Sequence, residues 1–224
     1  MSSQCLPSGS SIDETYQFLK FNTREQLKVL LDSSPEKWIV GPAGSGKTSL
    51  LLEKVTKLAW KILVNSLNEK ILVVCYNKPL SLMIREVFEN ELKHMLQGEE
   101  LSSVVDVKTF DKLLKDICGS FNVADGEKGV MKAVEKLEEK TFSERACYEH
   151  IFVDEGQDLY GAQWQSLLTM LHRGSSNDAA AEDDDFDPRY FWVFYDSNQH
   201  LHLSKEKISP IQEASKTVQD STKS

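Results

Sequence analysis

The chain has 224 residues, a formal net charge of −9, 40% hydrophobic residues and 27% charged residues. This is enough chain for one α/β domain with a proper core, and the composition is ordinary for a soluble protein. The charge has the wrong sign for nonspecific binding to nucleic acid, no apolar run approaches a membrane span, and four scattered cysteines with no C-x-x-C pair argue against zinc or a disulfide framework.

Residues 1–19 are expected to be a flexible N-terminus. They carry neither a basic n-region nor a long apolar h-region, so no secretory signal is read and an intracellular location, nucleus or cytoplasm, is expected. A helix over 23–31 opens at Thr23. Trp38-Ile39-Val40 has the apolar character of a buried strand and runs straight into Gly41-Pro42-Ala43-Gly44-Ser45-Gly46-Lys47-Thr48. That octapeptide meets every fixed position of G-x-x-x-x-G-K-[ST], and the segment that follows has apolar residues at helical spacing and no Gly or Pro. Glycines let the backbone curl until several N–H groups face one anion, and the next helix adds its positive end. Lys47 is placed to reach the outer phosphates and Thr48 to offer its hydroxyl to Mg²⁺. Gly41, Pro42, Ala43, Gly44, Ser45, Gly46, Lys47, Thr48 and Ser49 are therefore the expected phosphate-binding residues of a nucleoside triphosphate site.

Further along, 70–75 is a continuous apolar, β-branched strand, and a helix over 79–96 opens at Pro79. A short strand is expected at 104–107, a helix at 109–118, a polar loop at 119–128 and a charged amphipathic helix at 130–140. The strand at 149–153 ends in Asp154-Glu155-Gly156-Gln157-Asp158. An apolar strand that ends in an acid fixes Asp154 at the sheet edge, where it can hold Mg²⁺ directly or through water. Glu155 beside it can orient or deprotonate an attacking water. A helix follows at 162–172, and then an acidic loop at 174–188 with six Asp or Glu and no Lys or Arg between Ser175 and Pro188. The aromatic strand 190–195 leads to Asp196, and 204–224 is read as a flexible tail. Strands that are apolar throughout, alternating with helices, predict an α/β fold with a mostly parallel sheet covered on both faces. The glycine loop, Asp154 and Asp196 then converge on the carboxyl edge of that sheet, where such folds bind ligands.

Taken in order, these motifs resemble the motor core of superfamily 1 helicases of the UvrD/Rep type, over about residues 20–203. The Walker A loop and Asp154-Glu155-Gly156-Gln157-Asp158 carry most of the likeness. Thr23-Arg24-Glu25-Gln26 resembles the Q motif, Val74 to Leu80 resembles motif Ia, Lys108-Thr109-Phe110-Asp111 resembles motif Ib, and Tyr195 to Gln199 resembles motif III. Short apolar and aromatic runs also look like the helicase-like region of long schlafen proteins. The resemblance implies a RecA-like fold and ATP with Mg²⁺ as cofactors. It implies that Gln26 recognises adenine, Lys47 and Thr48 hold phosphate and metal, and Asp154 assists the metal. It further implies that Glu155 is the base and that Gln157 and Gln199 sense the γ-phosphate. Tyr76, Asn77, Lys78, Thr109 and Phe110 would line a groove for single-stranded DNA or RNA, where stacking tolerates any base.

Several of these residues have a second reading. Thr23-x-x-Gln26 is also a capping box. Phe110 is equally a core residue. Gly156 and Tyr195 stand where the family has other residues. No arginine follows Arg189, so the arginines that a second RecA-like domain brings across the cleft are not found. The expectation is one motor domain that binds ATP, hydrolyses it weakly at most, and works with a missing second domain or a protein partner. The rival expectations are an ATP-dependent interaction module without catalysis and a small-molecule kinase. The Gln157 and Gln199 sensors, and the absence of an arginine-rich lid, weigh against the kinase.

Overall fold

The computed structural model describes residues 23–94, 96, 100–120, 122, 125–141, 145, 147–159, 163–173 and 188–196. Contacts divide the chain into two units between Ser33 and Ser34. The described part of the first is one helix, α1 (Arg24–Leu31). Its start is a complete capping box: the Thr23 N–H donates to Gln26 Oε1 at 2.6 Å, and the Gln26 N–H donates to Thr23 Oγ1 at 3.3 Å.

The second unit holds β1 (Glu36–Val40), α2 (Lys47–Val64), β2 (Ile71–Cys75), α3 (Lys78–Leu92), β3 (Val105–Thr109), α4 (Phe110–Cys118), α5 (Gly126–Glu138), β4 (His150–Val153), α6 (Trp164–Leu171) and β5 (Phe191–Tyr195), with 3₁₀ turns at Leu101–Ser103 and Gly156–Asp158. The five strands form one sheet in the order β1-β5-β4-β2-β3, with every pair parallel. This is the α/β, RecA-like P-loop architecture expected. All of β2 and β4 is buried, which is why those segments read as unbroken apolar runs.

Alternation along the strands splits the core in two. Leu72, Val74, Ile151, Val153, Phe191 and Val193 face a cluster built with α4, α5 and α6. Trp192 belongs to the opposite face. Its ring lies under the Lys54 ammonium of α2 at 4.6 Å, and its indole N–H donates to Ser34 O at 2.8 Å. Several boundaries differ from expectation: α3 ends at Leu92, β3 runs on to Thr109, and α5 begins at Gly126, inside the stretch read as loop. There Gly126 takes φ 46 at the helix start, and Gly129 is buried within the helix. Both glycines serve the helix although their type signals a break.

Candidate functional site

The site forms where β1, β4 and β5 end. Gly41 leaves β1 with its N–H donated to Tyr195 O at 3.1 Å, so the last residue of β5 anchors the start of the loop. Gly44 and Gly46 take φ 75 and 84, in the left-handed region where a side chain would be strained. Gly46 then caps α2, and Lys47 is the first residue of that helix. The loop therefore presents its backbone to the N-terminus of an 18-residue helix, the arrangement that attracts an anion. The Lys47 ammonium is almost fully buried and folds back on the loop, donating to Gly41 O at 2.9 Å and Pro42 O at 3.2 Å. It also lies 3.9 Å from Asp196 Oδ2.

Asp154 continues β4, with its N–H donated to Val74 O at 2.8 Å. It is fully buried. Thr48 Oγ1 donates to Asp154 Oδ2 at 2.9 Å, joining residues 106 positions apart, and Asp154 Oδ1 is buried with no hydrogen-bond partner among the described residues. Burial pushes the Asp154 carboxyl up to about 6, partly offset by the Thr48 hydroxyl, and the neighbouring Glu155 charge raises it further. A buried carboxylate oxygen without a donor is unfavourable unless a cation serves it. Thr48 and Asp154 therefore fit a hard divalent ion, to which both would offer oxygen donors. Among the described residues no group of three or more His, Cys, Asp or Glu could hold a metal by itself.

Glu155 is half-buried and adopts φ 51, ψ 53, in the left-handed region. Gln157 Nε2 donates to Glu155 Oε2 at 2.5 Å, while Gln157 Oε1 accepts the Asp196 N–H at 2.9 Å. Asp196, 1% exposed, stands at the sheet edge where the sequence places it, but neither the motifs nor the resemblance assigned it a role. Its signal was present in the sequence: an apolar strand ending in an acid, the same pattern that marked Asp154.

The proposed strand-binding groove is not assembled as expected. Phe110 is 0% exposed within the α4–α5–α6 core, so it is a packing residue and offers no face to a base. Asn77 accepts the Leu80 N–H at 2.8 Å and Thr109 accepts the Lys112 N–H at 3.2 Å, so both side chains cap helices. Tyr76 and Lys78 remain exposed. Gln26 belongs to the α1 capping box, and Gln199 lies outside the described residues. Ser49, at the second position of α2 after Lys47, is exposed.

A strand, a glycine loop with its buried lysine, a helix N-terminus and a facing acidic strand end define a P-loop nucleotide-binding domain. A family model described as AAA domain matches residues 26–200, and the chain belongs to that family of P-loop NTPase domains. A search of curated proteins finds no match. No helix among the described residues is long and apolar enough to cross a membrane.

Proposed function

We propose that the domain binds ATP with Mg²⁺ and hydrolyses it as a helicase-type motor module of the superfamily 1, UvrD/Rep kind. The observation that carries this reading is the Thr48–Asp154 contact, with the second Asp154 oxygen buried and without a hydrogen-bond partner among the described residues. Thr48 and Asp154 would hold the metal, which would shield phosphate charge and polarise the γ-phosphoryl group. Lys47, released from Gly41 O and Pro42 O, would turn its ammonium to the phosphates. Glu155 would take the proton of the attacking water, and Gln157 sets the direction of that carboxylate.

A transition-state arginine is the further requirement of this chemistry. Within the second unit, Arg85 donates to Val107 O, Arg145 to Leu137 O and Lys140 O, Arg173 to Glu149, and Arg189 to Arg173 O. Each of these donors points to structure away from the P-loop, so the arginine would come from another domain or another chain. The expected behaviour is firm MgATP binding with slow turnover. A single-stranded DNA or RNA partner rests on Tyr76 and Lys78, since Phe110, Asn77 and Thr109 have structural duties.

The test measures MgATP binding and single-turnover hydrolysis with and without single-stranded DNA and RNA. Lys47→Ala should abolish binding. Glu155→Gln should retain binding and cut hydrolysis by about 100-fold or more. Wild-type protein that binds no nucleotide, or Glu155→Gln that hydrolyses at the wild-type rate, would refute the assignment. A strand effect that survives loss of both Tyr76 and Lys78 would remove the groove.

A further inference from the structure

We infer that Asp196 and Gln157 form a positioning relay that couples the P-loop lysine to the Glu155 carboxylate, an assignment that rests on the nucleotide reading above. The path consists of one charge–charge approach and two hydrogen bonds. Lys47 Nζ lies 3.9 Å from Asp196 Oδ2. The Asp196 N–H donates to Gln157 Oε1 at 2.9 Å, and Gln157 Nε2 donates to Glu155 Oε2 at 2.5 Å. Both ends of the Gln157 amide are thus engaged, one by the Glu155 carboxylate and one by the tip of β5.

The surroundings make this more than a chance string of contacts. Lys47 and Asp196 are buried, at 5% and 1% exposure, so their attraction is weakly screened. Tyr195 O holds the Gly41 N–H, so the same strand end also grips the start of the phosphate loop. Behind the turn there is no slack: a Cβ on Gly156 would lie 2.7 Å from Val193 Cγ1 of β5. The strand order puts β5 between the P-loop strand and the acidic strand, and its tip is the piece that touches both.

Two consequences follow. Before nucleotide arrives, Asp196 competes with the phosphates for Lys47 and adds a like charge beside them. When the phosphates draw Lys47 away, the Asp196 carboxylate loses its cation. The shift reaches Glu155 through the Asp196 backbone and the Gln157 amide. Asp196 thus lowers resting affinity and aligns the base when the loop fills. Neither residue has to touch the reacting atoms.

The relay predicts opposite signs for binding and turnover, which a merely structural role would not give. Fluorescent-ATP titration in Mg²⁺ and single-turnover hydrolysis would be compared for wild type, Asp196→Asn, Asp196→Ser and Gln157→Leu. Either Asp196 variant should bind nucleotide about tenfold more tightly, because one buried anion beside the phosphates is gone. It should also hydrolyse more slowly than wild type. Gln157→Leu should bind within about twofold of wild type and lose up to about 100-fold in rate, the scale of a misplaced reacting group. Asp196 variants that bind equally or more weakly, or a Gln157→Leu variant at the wild-type rate, would overturn the relay. Absence of nucleotide binding by wild type itself would instead defeat the functional reading on which it stands.

Discussion

Gly156 follows a residue in the left-handed region and packs with no room for a methyl group against Val193. Gly156→Ala must therefore displace Val193 or the 3₁₀ turn, at a cost of about 1–3 kcal/mol for overpacking a buried contact. Gly156→Ala combined with Val193→Ala should recover part of that loss relative to the sum of the two single changes. Urea midpoints of the four proteins check it, and additive losses would show that the clash is absorbed elsewhere. The glycine that looked like a departure from the family pattern is thus explained by its β5 neighbour. Sequence reasoning noticed the residue type and had no view of the neighbour. The same limit applied to Phe110, because a core phenylalanine and a stacking one are the same residue until their surroundings are known.

At the level of single elements, motif Ia is first of all a helix start. Asn77 caps α3 through Leu80 N–H, and Pro79 follows at the second helical position. Asn77→Ala should cost about 1 kcal/mol, and Asn77→Ser should restore most of it, because serine also accepts the hydrogen bond. Thermal unfolding of the three proteins measures this. Equal stability of all three would show that the cap carries no weight. The strands were legible because burial on both faces leaves unbroken apolar runs, and the glycine loop because its chemistry permits few substitutions. Element ends were less legible. Helix α5 starts four residues earlier than its apolar spacing implied, at glycines whose usual meaning is a break.

Across the whole molecule, two buried groups titrate against each other. His172 Nε2 donates to Glu149 O at 3.0 Å, and burial holds the ring down to about 4 from its ordinary 6.5. The unfolded chain therefore takes up a proton between about pH 6.5 and 4 that the folded chain refuses, so this group lowers stability as the pH falls through that window. Asp154 has the reverse sign. The folded chain keeps its proton up to about 6, against 3.8 ordinarily, so its contribution favours the fold in acid and fades as the pH rises from about 4 to 6. His172→Gln, which keeps a donor for Glu149 O, should make the protein more acid-resistant than wild type, by about 2–3 kcal/mol at pH 4.5 relative to neutral pH. Urea midpoints from pH 7.5 to 4.5 decide it, and parallel wild-type and variant curves would rule out His172 as the source. Finally, Lys54 sits about two turns along the helix that Lys47 begins, with its ammonium 4.6 Å from the Trp192 ring centroid. Indole emission responds to a nearby positive charge. Any tilt of this helix as the phosphate loop fills would move that charge over the ring, giving the chain an optical gauge of its own nucleotide occupancy without an added dye.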